Sequence, residues 1–236
     1  MKKKIFLLVL MMFLLITGCG EKEVINEDAL RFKNEYESLN GQTTSYGTTY
    51  REVNIDSDNP FIYISASDLV KKIENGETLY IYFGDKMCPW CRSVIETTIK
   101  SAKEKKINKI YYVEIWDNDH NEILRDTYSL NENGEVVLEK KGTDEYYKLL
   151  DYFKAYLNDY ELTNSNGEKV SVGEKRIFAP NFVYIRNGKV DIFPINSSVN
   201  INEYAIILTK TIITLIIRIL ITTLVISSNF LFKTPS

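Results

Sequence analysis

Cysteine is scarce in this chain, with three in 236 residues. A small disulfide-stapled domain carries more, and a zinc ribbon needs a second pair of ligands. Histidine is scarcer still: His120 is the only one, too few for a metal set, and it is expected to be a satisfied surface residue. Five prolines and eleven glycines exclude a collagen-like or low-complexity chain. Positive charge is not in excess. The formal net charge is −3, and Lys2, Lys3 and Lys4 lie in a leading segment without acids, so the remainder is more acidic still. That balance gives no reason to expect nucleic-acid binding, and neither a cofactor nor a metal is expected. The length suits one well-buried domain with extensions.

The leading segment reads as an export signal. Three lysines precede the apolar run Ile5–Ile16, too short to span a bilayer comfortably. Ile16-Thr17-Gly18-Cys19 then resembles a bacterial lipobox, which implies lipidation of Cys19 after cleavage of residues 1–18. Two acyl chains anchor stably where one does not. The expected location is therefore the cell membrane, on its extracytoplasmic face. Residues 19–55 are polar and read as the lipidated N-terminus and tether, with a short helix over Ala29–Leu39. The domain is expected to run from 56 to 200.

Within it, Phe61–Ile64 is a short β-type run, and Ser65 or Ser67 can cap a helix that ends before Asn75-Gly76. Thr78–Phe83 is aromatic and β-branched without charge, as a strand buried on both faces requires. A helix follows to about Lys106, then a strand over Ile110–Trp116. Thr143–Tyr160 is predicted as a helix with apolar stripe Tyr146, Leu149, Leu150, Phe153, Leu157 and Tyr160. Hairpin inserts with turns at Asn133-Gly134 and Asn166-Gly167 flank it. Asn181–Arg186 and Lys189–Phe193 form a last hairpin. This order predicts one α/β domain, a mixed central sheet flanked by helices.

Cys88-Pro89-Trp90-Cys91 sits where the buried strand meets the helix. With Cys88 as N-cap, Pro89 is the first helical residue, where its missing N–H costs nothing. Helix amides and macrodipole then favour a thiolate, lowering the Cys88 pKa below its ~8.5 reference. Cys91, one turn in, is shielded yet within disulfide reach, so Cys88 attacks and Cys91 resolves. A structural disulfide, half a zinc site and a chance pair are the other readings. Such a disulfide closes too short a loop to gain much chain entropy, the zinc site lacks partners, and the flanking elements argue against chance.

The motif resembles the active site of thioredoxin-like proteins, and Phe178-Ala179-Pro180-Asn181 through Gly188-Lys189 looks like their second signature. The likeness spans about Phe61–Phe193 and is nearest to lipid-anchored Gram-positive members, some associated with bacteriocin accessory proteins. It implies a thioredoxin fold and a cis Pro180 facing the cysteines. It also implies substrate contact by Trp90, Ala179 and Pro180, and antiparallel pairing of the strands that carry the two signatures. Two positions depart from that family: its buried acid six residues before the first cysteine is Tyr82 here, and its tryptophan just before that cysteine is Met87. No histidine lies inside the motif. Oxidation, reduction and isomerisation of extracytoplasmic protein thiols or disulfides all stay open, as does a non-catalytic peptide-binding lipoprotein.

Residues 201–236 contain Ala205–Ile226, dominated by Ile, Leu, Val and Thr. A membrane-spanning helix is one reading, despite Arg218. A closing helix with Thr211, Thr214, Arg218 and Thr222 on one face is another, and an aberrant terminus the third. Replacing Cys19 by Ser is expected to abolish labelling by a lipid precursor and processing after Gly18. Continued labelling would contradict the lipobox reading.

Overall fold

The computed structural model describes residues 26–44 and 47–192. Cys19, residues 1–18 and residues 201–236 lie outside them, as do the expectations placed there. Among the described residues no helix is long and apolar enough to cross a membrane.

The core is a five-stranded mixed sheet of β1 (Phe61–Tyr63), β2 (Leu79–Gly84), β3 (Ile110–Glu114), β8 (Asn181–Arg186) and β9 (Lys189–Ile192), in the order β1-β3-β2-β8-β9. β3 runs parallel to β1 and β2, whereas β8 is antiparallel to β2 and to β9. β2 is the central strand and is buried at five of its six positions, in keeping with its uncharged sequence. The β8–β9 turn places Asn187 and Gly188 at φ 50° and 72°, the left-handed pair that tight hairpins favour.

Among the described residues four α-helices cover the sheet: α1 (Glu27–Glu37), α2 (Ala66–Glu74), α3 (Pro89–Glu104) and α4 (Asp144–Phe153). Each starts on a side-chain cap. Asn26, Ser65, Cys88 and Thr143 accept from the amides of Asp28, Asp68, Cys91 and Tyr146, respectively. Alternation along the strands separates two cores. Tyr82, Tyr112 and Phe182 pack with Phe32 and Tyr36 of α1 and with Val94, Ile95 and Ile99 of α3. Leu79, Ile81, Phe83, Val113 and Val183 pack with Leu69 and Ile73 of α2 and Leu149 and Phe153 of α4. A mixed sheet between two helix layers results, as the element order predicted.

Three boundaries differ from expectation. Residues 26–55 are not merely a tether ahead of a domain that begins at 56. The ring of Phe32 stacks 4.2 Å from Phe61 and meets Tyr112 edge-on at 4.9 Å, and Val53 and Ile55 are buried in the same core. The Ile55 amide donates to Glu37 Oε1 at 2.8 Å and the Asn40 side chain bonds both backbone groups of Val53. Second, α4 stops at Phe153 and passes through a 3-10 turn, Lys154–Tyr156. Tyr160, placed on its stripe by sequence, instead belongs to β6 (Asp159–Thr163), whose alternation suits pairing with β7 (Lys169–Lys175). Third, β3 ends at Glu114, and the first inserted hairpin follows as β4 (Thr127–Leu130) and β5 (Val136–Lys140).

Phe32→Ala is expected to cost about 3–5 kcal/mol, the usual loss for a buried phenylalanine, measured by urea unfolding. A loss below about 1 kcal/mol, the size of a surface substitution, would place α1 outside the cooperative core.

Candidate active site

β2 ends at Gly84, where a Cβ would lie 2.5 Å from Tyr82 Cε1 and 2.8 Å from Tyr112 Cε2. Only glycine lets both buried rings close over this strand end. The chain then turns through Asp85-Lys86-Met87 into α3. Asp85 holds the turn twice, accepting from the Cys88 amide on its carbonyl at 3.2 Å and from the Met87 amide on Oδ1 at 3.1 Å.

Cys88 has extended backbone angles (φ −66°, ψ 119°) and caps α3, with Pro89 opening the helix. Its Sγ accepts from the Cys91 amide at 3.4 Å. Cys88 is half-buried and Cys91 fully buried, and both are free thiols. Their acidities separate in opposite directions. A hydrogen bond from the Cys91 side chain pulls the Cys88 pKa down, aided by the amides of Cys91 and Trp90, against burial and the Asp85 charge. Burial pushes the Cys91 thiol well up, reinforced by its bond to Cys88. Cys88 is thus the more acidic of the two thiols and Cys91 the less acidic.

The second half of the site comes from the other side of the central strand. Phe83 pairs with Asn181, so the start of β8 lies beside the end of β2. The Ala179–Pro180 bond is cis, and the Ala179 carbonyl accepts from the Cys88 thiol at 3.6 Å. The antiparallel neighbours and cis bond expected from the two signatures are therefore present. Just upstream, Arg125 donates to the Ile177 carbonyl at 3.0 Å while paired with Glu122 at 2.5 Å. Phe178 meets Tyr160 edge-on at 6.2 Å. These buried contacts fix the approach to Ala179 and tie it to the bases of both hairpins. Trp90 is 58% exposed beside Cys88, an unusual placement for a large apolar ring.

Tyr82, standing where the resembled family has an acid, is fully buried against Phe61 and Tyr112. His120 is exposed, adopts φ 63° and stacks on Trp116 at 4.2 Å. Its loop is fastened to the active-site turn by the hydrogen bond of Lys86 Nζ to Asn118 Oδ1.

Two neighbours were missed by sequence reading. Asp85 is buried, its carboxyl pushed up by that burial, and its charge opposes both thiolates. An acid between an apolar strand and the cysteine motif was the available signal. Arg92 is fully buried beside Cys91; an arginine on a helix otherwise reads as surface, so no sequence signal marked it. Among the described residues no group of three or more His, Cys, Asp and Glu side chains could hold a metal ion.

No family model matches the chain, and comparison with curated proteins finds no match. Fold and site together define a mixed α/β protein with a dithiol at a helix N-terminus.

Alkylation at mildly acidic pH is expected to modify Cys88 first, its rate rising with pH through a pKa below the ordinary ~8.5, because the thiolate is the nucleophile. Peptide mapping that finds Cys91 modified first would reverse the two roles.

Proposed function

We propose that this protein is a thiol–disulfide oxidoreductase with a thioredoxin-like fold, held by lipid at Cys19 on the extracytoplasmic face of the membrane and acting on protein thiols or disulfides. The observation that carries the reading is the geometry at the start of α3: Cys88 caps the helix with its sulfur, accepting from the Cys91 amide at 3.4 Å, while Cys91 lies fully buried one turn in and the Ala179 carbonyl faces the pair. A peptide-binding groove alone has no need of a nucleophilic thiolate paired with a protonated thiol.

In the reducing direction the Cys88 thiolate attacks one sulfur of a client disulfide. The Cys88–client bond forms, the client S–S bond breaks, and the departing client thiolate takes a proton. Cys91 then gives up its proton and attacks Cys88 Sγ, forming the Cys88–Cys91 disulfide and releasing the second client thiol. Two electrons pass from the protein to the client disulfide, with one proton from Cys91 and one from solvent, and the reverse sequence oxidises a client dithiol. The exposed Trp90 ring and the Ala179 backbone are the groups assigned to hold the client. Asp85 disfavours a permanent Cys91 thiolate, which suits a resolving group that ionises only as it reacts.

Cys91→Ser is expected to trap client proteins as mixed disulfides through Cys88, while Cys88→Ser abolishes both trapping and insulin reduction. Wild-type protein that reduces no insulin and a Cys91→Ser variant that traps nothing would favour the non-catalytic, peptide-holding alternative.

A further inference from the structure

Read as a tether, residues 19–55 place 37 residues between Cys19 and the domain, enough to span more than ~120 Å at about 3.5 Å each. The fold removes most of that length. α1 is a core element, with Phe32 stacked 4.2 Å from Phe61, and it opens on Asn26, whose side chain caps it. Asn26 is the seventh residue after Cys19. Whatever path residues 20–25 take, seven residues reach about 25 Å at most. A domain of this size is about 40 Å across, so the leash is shorter than the domain it holds.

The contacts of α1 fix the end of the sheet at which the chain enters. The helix starts beside the edge strand β1. There the Ala29 carbonyl accepts from Asn59 Nδ2 at 2.8 Å, and Asp28 Oδ2 accepts at 3.2 Å from the amide of Tyr63, the last residue of β1. One turn on, Arg31 Nη2 meets Glu114 Oε2 at 3.0 Å, at the last residue of β3. A further turn on, Glu35 Oε2 stands 3.6 Å from Lys86 Nζ in the turn that carries the cysteines. The Tyr36 carbonyl then accepts from Arg92 of α3 at 2.8 Å. β1, β3 and β2 are parallel neighbours in that order, so their carboxyl ends lie together and α1 crosses them from the sheet edge to the dithiol. The spans agree. Asp28 to Glu35 rises about 10 Å along a helix, and β1 to β2 is two strand spacings of about 4.8 Å.

We infer that the dithiol works at the membrane surface, on client proteins whose own cysteines are held there, and not on freely diffusing secreted proteins. The inference rests on the proposed reading of Cys19 as the lipid anchor and of Cys88 and Cys91 as the exchanging pair. A helix packed into the core cannot let the domain swing away from its anchor. The outer limit between Cys19 and Cys88 is therefore roughly 55 Å: about 25 Å of chain and about 14 Å of helix, with the Glu35–Lys86 link and two further residues making up the rest. A tether running to residue 55 would allow more than twice that distance. Because the chain enters at the end of the sheet that presents Cys88, the short leash keeps the reactive end, and not the opposite one, close to the bilayer.

The test uses the full lipidated chain in phosphatidylcholine–phosphatidylglycerol vesicles. Beside it stands a variant with about 40 Gly and Ser residues inserted between Lys22 and Glu23, a leash of about 35 Å root-mean-square span that extends beyond ~100 Å. One disulfide-bonded peptide serves as client in three forms. It is joined to a lipid of the same vesicle by a short linker, joined through a proline-rich spacer about 155 Å long when extended, or left free in solution. Pre-reduced wild type is expected to reduce the near peptide at least about tenfold faster than the distant one, and the insertion to bring the two within about threefold. Both proteins should reduce the free peptide at the same rate. Equal rates on near and distant peptide for wild type overturn the inference, as does an insertion variant that keeps the full preference. Wild type inert toward all three peptides refutes the exchange reading. The position of the site is then decided by energy transfer from a dye on Cys88 to acceptor lipids, expected to fall at least about twofold on insertion over the span calculated above, and unchanged transfer overturns the inference. Mass analysis that finds no lipid on Cys19 also overturns it, while reduction of the free peptide still upholds the exchange reading.

Discussion

Everything at the site depends on one capping interaction, the Cys91 amide donating to the sulfur of Cys88 at the first turn of α3. A cap is ordinarily an oxygen that satisfies a free helix amide. Here it is a sulfur, so the amides and the macrodipole that would stabilise an aspartate stabilise a thiolate instead. The same geometry drives Cys91 one turn inward, where burial favours its protonated form. Two chemically identical groups thereby acquire different acidities from their place on a single helix end, the asymmetry that the proposed exchange reaction requires.

The sheet exists around that helix end. β2 delivers the cysteines at its carboxyl end and β8 begins beside it, because antiparallel neighbours place one strand's end against the other's start. Both hairpin inserts leave the sheet near this same end, one after β3 and one before β8. Their bases are joined by Glu122, Arg125 and Arg176, buried among themselves. Arg125 bonds the Ile177 carbonyl, which makes the inserts part of the frame that places Ala179.

Much of this frame was legible because local chemistry and tertiary role agree. The apolar Thr78–Phe83 run, Pro89 after a capping residue, and Asn-Gly at the turns each point to one structure with little help from distant contacts. The failures arise where the two disagree. Ala29, Phe32 and Tyr36 form an inward stripe on α1, but the charges between them make the segment resemble a polar tether, and only the rings of Phe61 and Tyr112 reveal its role. The helix predicted through Tyr160 ends at Phe153 because pairing with β7 overrides a continuing apolar period. At the site, the cysteines and Pro180 could be read from motif and order. Arg92 could not, since its guanidinium is held by backbone carbonyls of residues 36, 51 and 86, which a side-chain pattern does not encode.

The central claim is that Cys88 and Cys91 form a reversible redox couple, and a redox titration of the purified chain tests it most directly. Equilibrated against graded thiol–disulfide buffers, with the Cys88–Cys91 disulfide read by mass spectrometry after quenching, the protein is predicted to show one two-electron transition between about −270 and −120 mV, the span of known exchange catalysts. A pair that never oxidises, or a disulfide that resists reduction below about −300 mV as structural bridges do, would contradict the account.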